Sequence, residues 1–360
     1  MIKNGVESVI AEQDSSGFVV TIRTIFKLDS ETIMQRKLGF TALRSSLIAL
    51  LFIPLVAIAQ QNYPNHAMKI IAPFPPGGTS DLLSRIIAQR LGDALGQSVI
   101  VENKPGANGT IGLDAAAKSP ADGYTLLLST SSIILNNQFL YKKLSYDWYK
   151  DFSPITMVGI AGQVLVVNPS SPAKTVSELV ALAKSKPGEI NYGAGAKGNT
   201  AHLAGEKFAS AANIDITHIP YKGNGQATAA LVAGEVQLVF SDMAPALPFI
   251  NTKKLTPLAV TTAQRSTSLP DVPTMVELGY PNFESVVWWT LVTQRGVPEP
   301  IIQKLNTTLE KIMSSSDVKD SFQRLGVTPL FSTPSRVNEI ARKDSIAAGE
   351  QIKKLNIPKE

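Results

Sequence analysis

Between Met68 and Ser129, three short apolar runs alternate with two helix-like segments, and this alternation constrains the fold more than any other feature of the chain. Met68–Ala72 (MKIIA) reads as a buried strand closed by Pro73. Ser98–Glu102 (SVIVE) and Tyr124–Ser129 (YTLLLS) read the same way. Ser80–Leu95 carries Leu83, Ile87 and Leu91 at helical spacing and stops at Gly96, which tolerates the left-handed conformation of a helix end. Thr110–Lys118 reads as a second helix, ended ahead of Pro120. Strand, helix, strand, helix, strand at this spacing implies a parallel sheet with crossover helices.

The same grammar recurs. Val176–Lys184, Thr200–Ala211 and Gly225–Ala233 read as helices, interleaved with strands at Ile190–Tyr192, Asp215–Pro220 and Val236–Phe240. Leu258–Thr261 is a further strand, and Ile301–Ser314 and Val337–Leu355 are helical. Val164–Asn168 (VLVVN) and Trp289–Thr293 (WTLVT) read as passages between two lobes, each followed by a proline-containing turn. The expected class is α/β with two lobes, each a mostly parallel sheet flanked by helices. Residues 60–163 plus 290–360 form the first lobe and 164–289 the inserted second. A cleft at such a hinge is a preferred ligand site. Trp288-Trp289 reads as packing at this hinge.

The N-terminus has a different character. Arg36, Lys37 and Arg44 precede an apolar run, Leu47–Ala59, that ends small-x-small at Ala57-Ile58-Ala59. The run is shorter than the roughly 20 residues a spanning helix needs. The pattern is that of a secretory signal peptide over residues 34–59 starting at Met34, with 1–33 an upstream extension translated in error and the mature chain beginning at Gln60. Export places the protein in the periplasm. The chain of 360 residues is 44% hydrophobic, enough for a substantial core, and contains no cysteine. That excludes disulfides, thiolate catalysis and cysteine-held metals. The three histidines, His66, His202 and His218, are far apart in sequence, so no His-rich metal site is expected. A net charge of +5 without a Lys/Arg run offers nothing of the nucleic-acid type.

Two strand-to-helix turns carry candidate chemistry. In Pro73-Phe74-Pro75-Pro76-Gly77-Gly78-Thr79-Ser80-Asp81 the glycines permit a tight turn and close approach, and free amides of the first helical turn attract an anion. An ordinary capped turn fits the same residues. Asp81 complements the helix dipole; a ligand role for it would be toward a hydroxyl or ammonium group. Gly193-Ala194-Gly195-Ala196-Lys197-Gly198-Asn199-Thr200 formally matches G-x-G-x-x-G. Asp215 lies at the wrong end of the next strand for a dinucleotide fingerprint, and Asn199-Thr200 replaces the Lys-Ser/Thr of a P-loop. A second helix end with free amides remains. His202 and Glu206, at i and i+4, read as packing rather than as a metal or acid–base pair. Ser129–Ser132 and Ser241-Asp242 stand at strand ends, where they either face the cleft or simply turn the chain. No Ser sits in G-x-S-x-G.

The segments PFPPGGTSDLLSRIIAQRL, VENKPGANGTIG, AKSPADGYTLLL, YGAGAKGNTAHLAGEKF, IPYKGNGQATAALVAGEVQLVF and LPDVPTMVELG occur in this order between about Lys69 and Pro281. Together they resemble the substrate-binding receptors of tripartite tricarboxylate transporters, the Bug receptors. The resemblance implies a two-lobe periplasmic binding fold of the second type, a Venus flytrap that binds a small organic carboxylate and delivers it to membrane transporter subunits or a sensor protein. It implies a monomer without cofactor, catalytic or metal residues, and no nucleic-acid partner. It places ligand contacts at Phe74, Gly77, Gly78, Thr79, Ser129, Thr130, Gly195, Gly198, Asn199, Thr200 and Asp242. The chain departs from the family pattern at Ala194, where Ser is frequent, at Ala196, where Gly is, and at Asn199, where Thr or Ser is. The alternatives are a periplasmic enzyme using His202 in the same cleft, and a carboxylate sensor without a transporter.

Overall fold

A computed structural model describes residues 63–359. The upstream extension, the signal peptide and the mature start at Gln60 lie outside the described residues. Among the described residues, no helix is long and apolar enough to cross a membrane.

The chain opens with β1 (Met68–Ala72), α1 (Thr79–Leu95), β2 (Val99–Asn103), α2 (Thr110–Ala117), β3 (Thr125–Thr130) and α3 (Ser131–Leu140). β1 runs parallel to both β2 and β3, as the alternation requires. α1 buries Leu83, Ile87 and Leu91 completely, each contributing about 1.5–3 kcal/mol. It ends at Gly96, whose φ is 68° and whose amide returns to the Gly92 carbonyl.

After the short α4 (Trp148–Asp151) comes β4 (Phe152–Val167), the longest strand. The second half follows with α5 (Val176–Ser185), β5 (Ile190–Ala194), α6 (Thr200–Ala212), β6 (Ile216–Pro220), α7 (Asn224–Ala233), β7 (Leu238–Asp242), α8 (Met243–Asn251) and β8 (Thr256–Val260). β9 (Val286–Gln294), α9 (Glu299–Ser314), α10 (Ser316–Arg324), β10 (Thr328–Pro329) and α11 (Pro334–Lys354) complete the described chain.

The strand order is β2-β1-β3-β9-β4-β7-β5-β6, with β8 and β10 both paired to β4. Residues 152–162 of β4 pair with β9, whereas residues 163–167 pair with β7. One continuous strand therefore passes from one lobe to the other. The passage lies inside β4, at Gly162–Gln163, and not in a separate segment at Val164–Asn168. β9 pairs with β4 from Val286 onward, so Trp289–Thr293 is an internal strand of the first sheet and not a passage. Pro154, together with register shifts at Pro154/Thr156 and Met157/Gly159, masks β4 as a strand in the sequence.

Buried Gln163 and Thr261 and half-buried Ser285 fasten the passage. The Gln163 amide donates to Thr261 Oγ1 at 2.8 Å, the Ser285 amide to the Thr261 carbonyl at 3.0 Å, and Ser285 Oγ to Gln163 Oε1 at 3.1 Å. Each lobe has its own core. Ile70, Leu83, Leu126 and Leu291 are in the first, and Tyr192, Phe208, Phe240 and Phe283 in the second.

Candidate functional site

Five helices begin at one cleft between the lobes: α1 at Gly78–Ser80, α3 at Thr130–Ser132, α6 at Asn199–Thr200, α7 at Gly223–Gln226, and α8 behind Asp242. The cleft encloses about 520 Å³, its open mouth included, and Phe74, Val287 and Trp289 give it an apolar side. Four of the five helices, α1, α3, α7 and α8, receive no capping bond from an N-cap side chain. First-turn amides point out of a helix start and carry the positive end of its dipole. The helix starts thus turn partial positive charge toward the cleft, and among the described residues no Lys or Arg lines it.

The first turn is held from below by Asp81. This buried carboxylate accepts from the Gly77 amide at 3.0 Å, from Asn103 Nδ2 at 3.0 Å and from Arg85 Nε at 3.1 Å. Burial opposes its ionisation, but these donors prevail and hold its pKa below the usual carboxylate range. Asp81 is therefore a brace for the loop and does not line the cleft. Gly77 has φ +82°, the left-handed region, whereas Gly78 is extended with φ −80°. Conformation favours glycine at Gly77, whereas a Cβ at Gly78 would meet only the Pro75 carbonyl oxygen, at 3.5 Å.

The second turn is built similarly. Asn199 caps α6, its Oδ1 accepting from the Ala201 amide at 2.9 Å. A Cβ at Gly195 would stand 2.8 Å from Asn199 Cγ, so glycine there lets the Asn199 side chain fold back. Gly198 has φ +84°; its amide donates to His202 Nδ1 at 3.3 Å and its carbonyl accepts from Asn136 Nδ2 at 2.8 Å. His202 stacks among aromatic rings, 4.3 Å from His218 and 6.4 Å from Tyr192. Burial lowers the His202 pKa to about 3, and His218 and Lys197 add to the shift. His202 is thus a neutral acceptor bracing the loop, and it does not line the cleft.

Of the residues expected to touch ligand, Phe74, Gly78, Thr79, Thr130, Asn199, Thr200 and Asp242 line the cleft. Gly77, Ser129, Gly195 and Gly198 do not; they shape the backbone behind it. Ser129 is fully buried, and its hydroxyl has no partner among the described residues.

Sequence reasoning missed the third turn, Gly223-Asn224-Gly225-Gln226, although it repeats the strand–glycine–helix signal of the other two. It also missed Trp289. The sequence places this ring in hinge packing, whereas it lines the cleft, and its Nε1 donates to Ser80 Oγ at 3.0 Å. Alternation along β9 sends Trp288 to the other face, where its Nε1 reaches Asp344 Oδ2 at 3.1 Å. Ser131 and Ser132 do not form a plain turn; they open α3.

Among the described residues, Asp242 is the only ionisable side chain lining the cleft. Its Oδ1 accepts from Asn224 Nδ2 at 2.9 Å and from Gln163 Nε2 at 3.5 Å, and its Oδ2 accepts from Thr79 Oγ1 at 3.2 Å. Burial raises its pKa, and those three donors oppose the rise. The Thr79–Asp242 bond joins the two lobes directly. Among the described residues, no cluster of three His, Cys, Asp or Glu side chains could hold a metal.

Comparison with known proteins points the same way. Residues 83–357 match the model of the tripartite tricarboxylate transporter family receptor. Protein BugT of Bordetella pertussis is 40% identical over 280 residues, covering 78% of this chain and 86% of its own. A structure described as R. palustris Rpa4515 with adipate superposes with a TM-score of 0.81 at 32% identity, covering 83% of this chain and all of that one. MatC from Rhodopseudomonas palustris with bound malate gives a TM-score of 0.77 at 27% identity, covering 81% of this chain and all of that one.

Proposed function

Because the chain belongs to the tripartite tricarboxylate transporter receptor family, we propose that it is an exported solute receptor whose lobes close on a small organic carboxylate in this cleft and present it to membrane transporter subunits. One observation carries the reading: five helix starts converge on a cleft lined by no cationic side chain. Oriented amides stabilise an anion without the desolvation cost of burying a lysine or arginine. The first-turn amides of α1 and α6, with Thr79, Thr130, Asn199 and Thr200, hold the ligand carboxylate. Gly77, Ser129, Gly195 and Gly198 act behind them. Phe74, Val287 and Trp289 pack against the ligand's carbon skeleton. The relatives described with adipate and with malate support this ligand class.

The enzymatic alternative rested on His202, and that ring is engaged by the Gly198 amide outside the cleft. The receptor reading therefore stands ahead of it. The test is mass spectrometry of small molecules released by denaturing the protein purified from the periplasm. A carboxylate recovered chemically unchanged supports a receptor; a transformed product supports an enzyme.

A further inference from the structure

We propose that Asp242 makes this receptor selective for carboxylates that bear a hydrogen-bond donor, a hydroxyl or an ammonium, on the carbon next to the bound carboxylate; the inference rests on the carboxylate reading above. Asp242 is fixed in place. The amide nitrogens of Asn224 and Gln163 hold its Oδ1, and Gln163 is itself tied into the passage between the lobes by Thr261 and Ser285. Its Oδ2 points across the cleft to Thr79, the first residue of α1, with the oxygens 3.2 Å apart. A ligand carboxylate seated on the α1 amides lies close to this fixed carboxylate, within the roughly 4–6 Å over which like charges oppose one another strongly.

A donor on the ligand's neighbouring carbon relieves that opposition. It turns the nearest Asp242 oxygen from a repelling neighbour into a hydrogen-bond partner. An ionised carboxylate offers about four acceptor positions, and protein donors occupy three of those on Asp242. A second acceptor stands beside it. Asn224 commits its Nδ2 to Asp242 and to the Phe240 carbonyl at 3.2 Å, and its Oδ1 is buried with no partner among the described residues. The α1, α6 and α7 helix starts offer donors, whereas the Asp242–Asn224 side offers acceptors. An unsubstituted alkyl carboxylate satisfies only the first.

The experiment is titration calorimetry at pH 7.5 with two matched series: propanoate, lactate and alanine; and succinate, malate and aspartate. In at least one series the hydroxy or amino member binds tighter than its parent by roughly 10- to 100-fold, the range of one hydrogen bond to a charged group. In Asp242→Asn that ratio falls toward unity, chiefly because the parent acid binds better once the opposing charge is gone. A purely structural role for Asp242 would weaken all members alike. The wild-type ratios test the inference even where the variant does not fold. Equal wild-type affinities overturn it. So does tighter binding of the parents at lower pH with proton uptake, which would mean that Asp242 takes a proton from solvent when the ligand carboxylate binds. Failure of all six to bind, with no carboxylate retained through purification, overturns the carboxylate reading itself.

Discussion

Asn136 Nδ2, on α3 of the first lobe, donates to the Gly198 carbonyl of the second at 2.8 Å. This bond exists only while the lobes are together, so it contributes to the closed state alone. Replacing Asn136 with Ala removes a buried donor and should cost closure about 1 kcal/mol. Ligand affinity should then fall roughly fivefold, because a receptor that closes less readily binds less tightly. Calorimetry on the variant checks this, and unchanged affinity would show that closure does not depend on the bond.

A ligand gripped from both lobes favours the closed form by its differential affinity for the two states. The fastened passage at Gln163, Thr261 and Ser285 makes rotation about two connected strands the motion expected. Saturation with a bound carboxylate should reduce the radius of gyration measured by small-angle scattering. Superimposable curves with and without ligand, at concentrations where calorimetry shows full occupancy, would contradict hinge closure.

Gly77 and Gly78 should respond differently to substitution. Gly77 is in the left-handed region, so Gly77→Ala should destabilise the fold by about 1–2 kcal/mol in denaturant titration. Gly78 is extended, and the nearest atom to a Cβ there is the Pro75 carbonyl oxygen at 3.5 Å. Gly78→Ala should leave stability nearly unchanged. Equal losses for the two variants would mean that the loop is not shaped as described.

The paired histidines give the fold an acid dependence. Burial lowers His202 to about 3 and His218 to about 4, against an ordinary value of 6.5. Both are neutral when folded, while the unfolded chain takes up protons below about pH 6.5. Stability is therefore fully present above that value and is lost progressively as pH falls toward 4. Lys197, Glu206 and Tyr192 are the other titratable groups around them. His202→Asn keeps an acceptor for the Gly198 amide but removes one titrating group, so its stability should fall less steeply over this interval. An unchanged pH slope of the unfolding free energy would reject the assignment.

Much of the architecture is legible in the residues. Leu83, Ile87 and Leu91 mark α1, Gly96 ends it, and the glycine-rich turns at 77–78 and 195–198 announce the helix starts at the cleft. Three of the elements that escaped have no such periodicity. α3 is apolar or buried on most sides, so it shows no amphipathic stripe, α8 contains Pro248, and β4 contains Pro154. The site was read in part for a physical reason. A glycine turn reveals where a helix begins, but not which side chains from other strands meet it. The meetings of Trp289 with Ser80 and of Asp242 with Thr79 are tertiary, spanning 209 and 163 residues of sequence.

Under the proposed function, oriented backbone amides at these helix starts hold the carboxylate. The most direct test is the calorimetric affinity of a carboxylate that co-purifies with the protein, compared between wild type and Gly78→Val, with circular dichroism and thermal unfolding as folding controls. Gly78 lines the cleft at the head of α1, and its extended backbone accepts a branched residue, so a folded protein with no measurable binding is expected. A folded Gly78→Val protein with wild-type affinity would place the carboxylate elsewhere and overturn the proposed site.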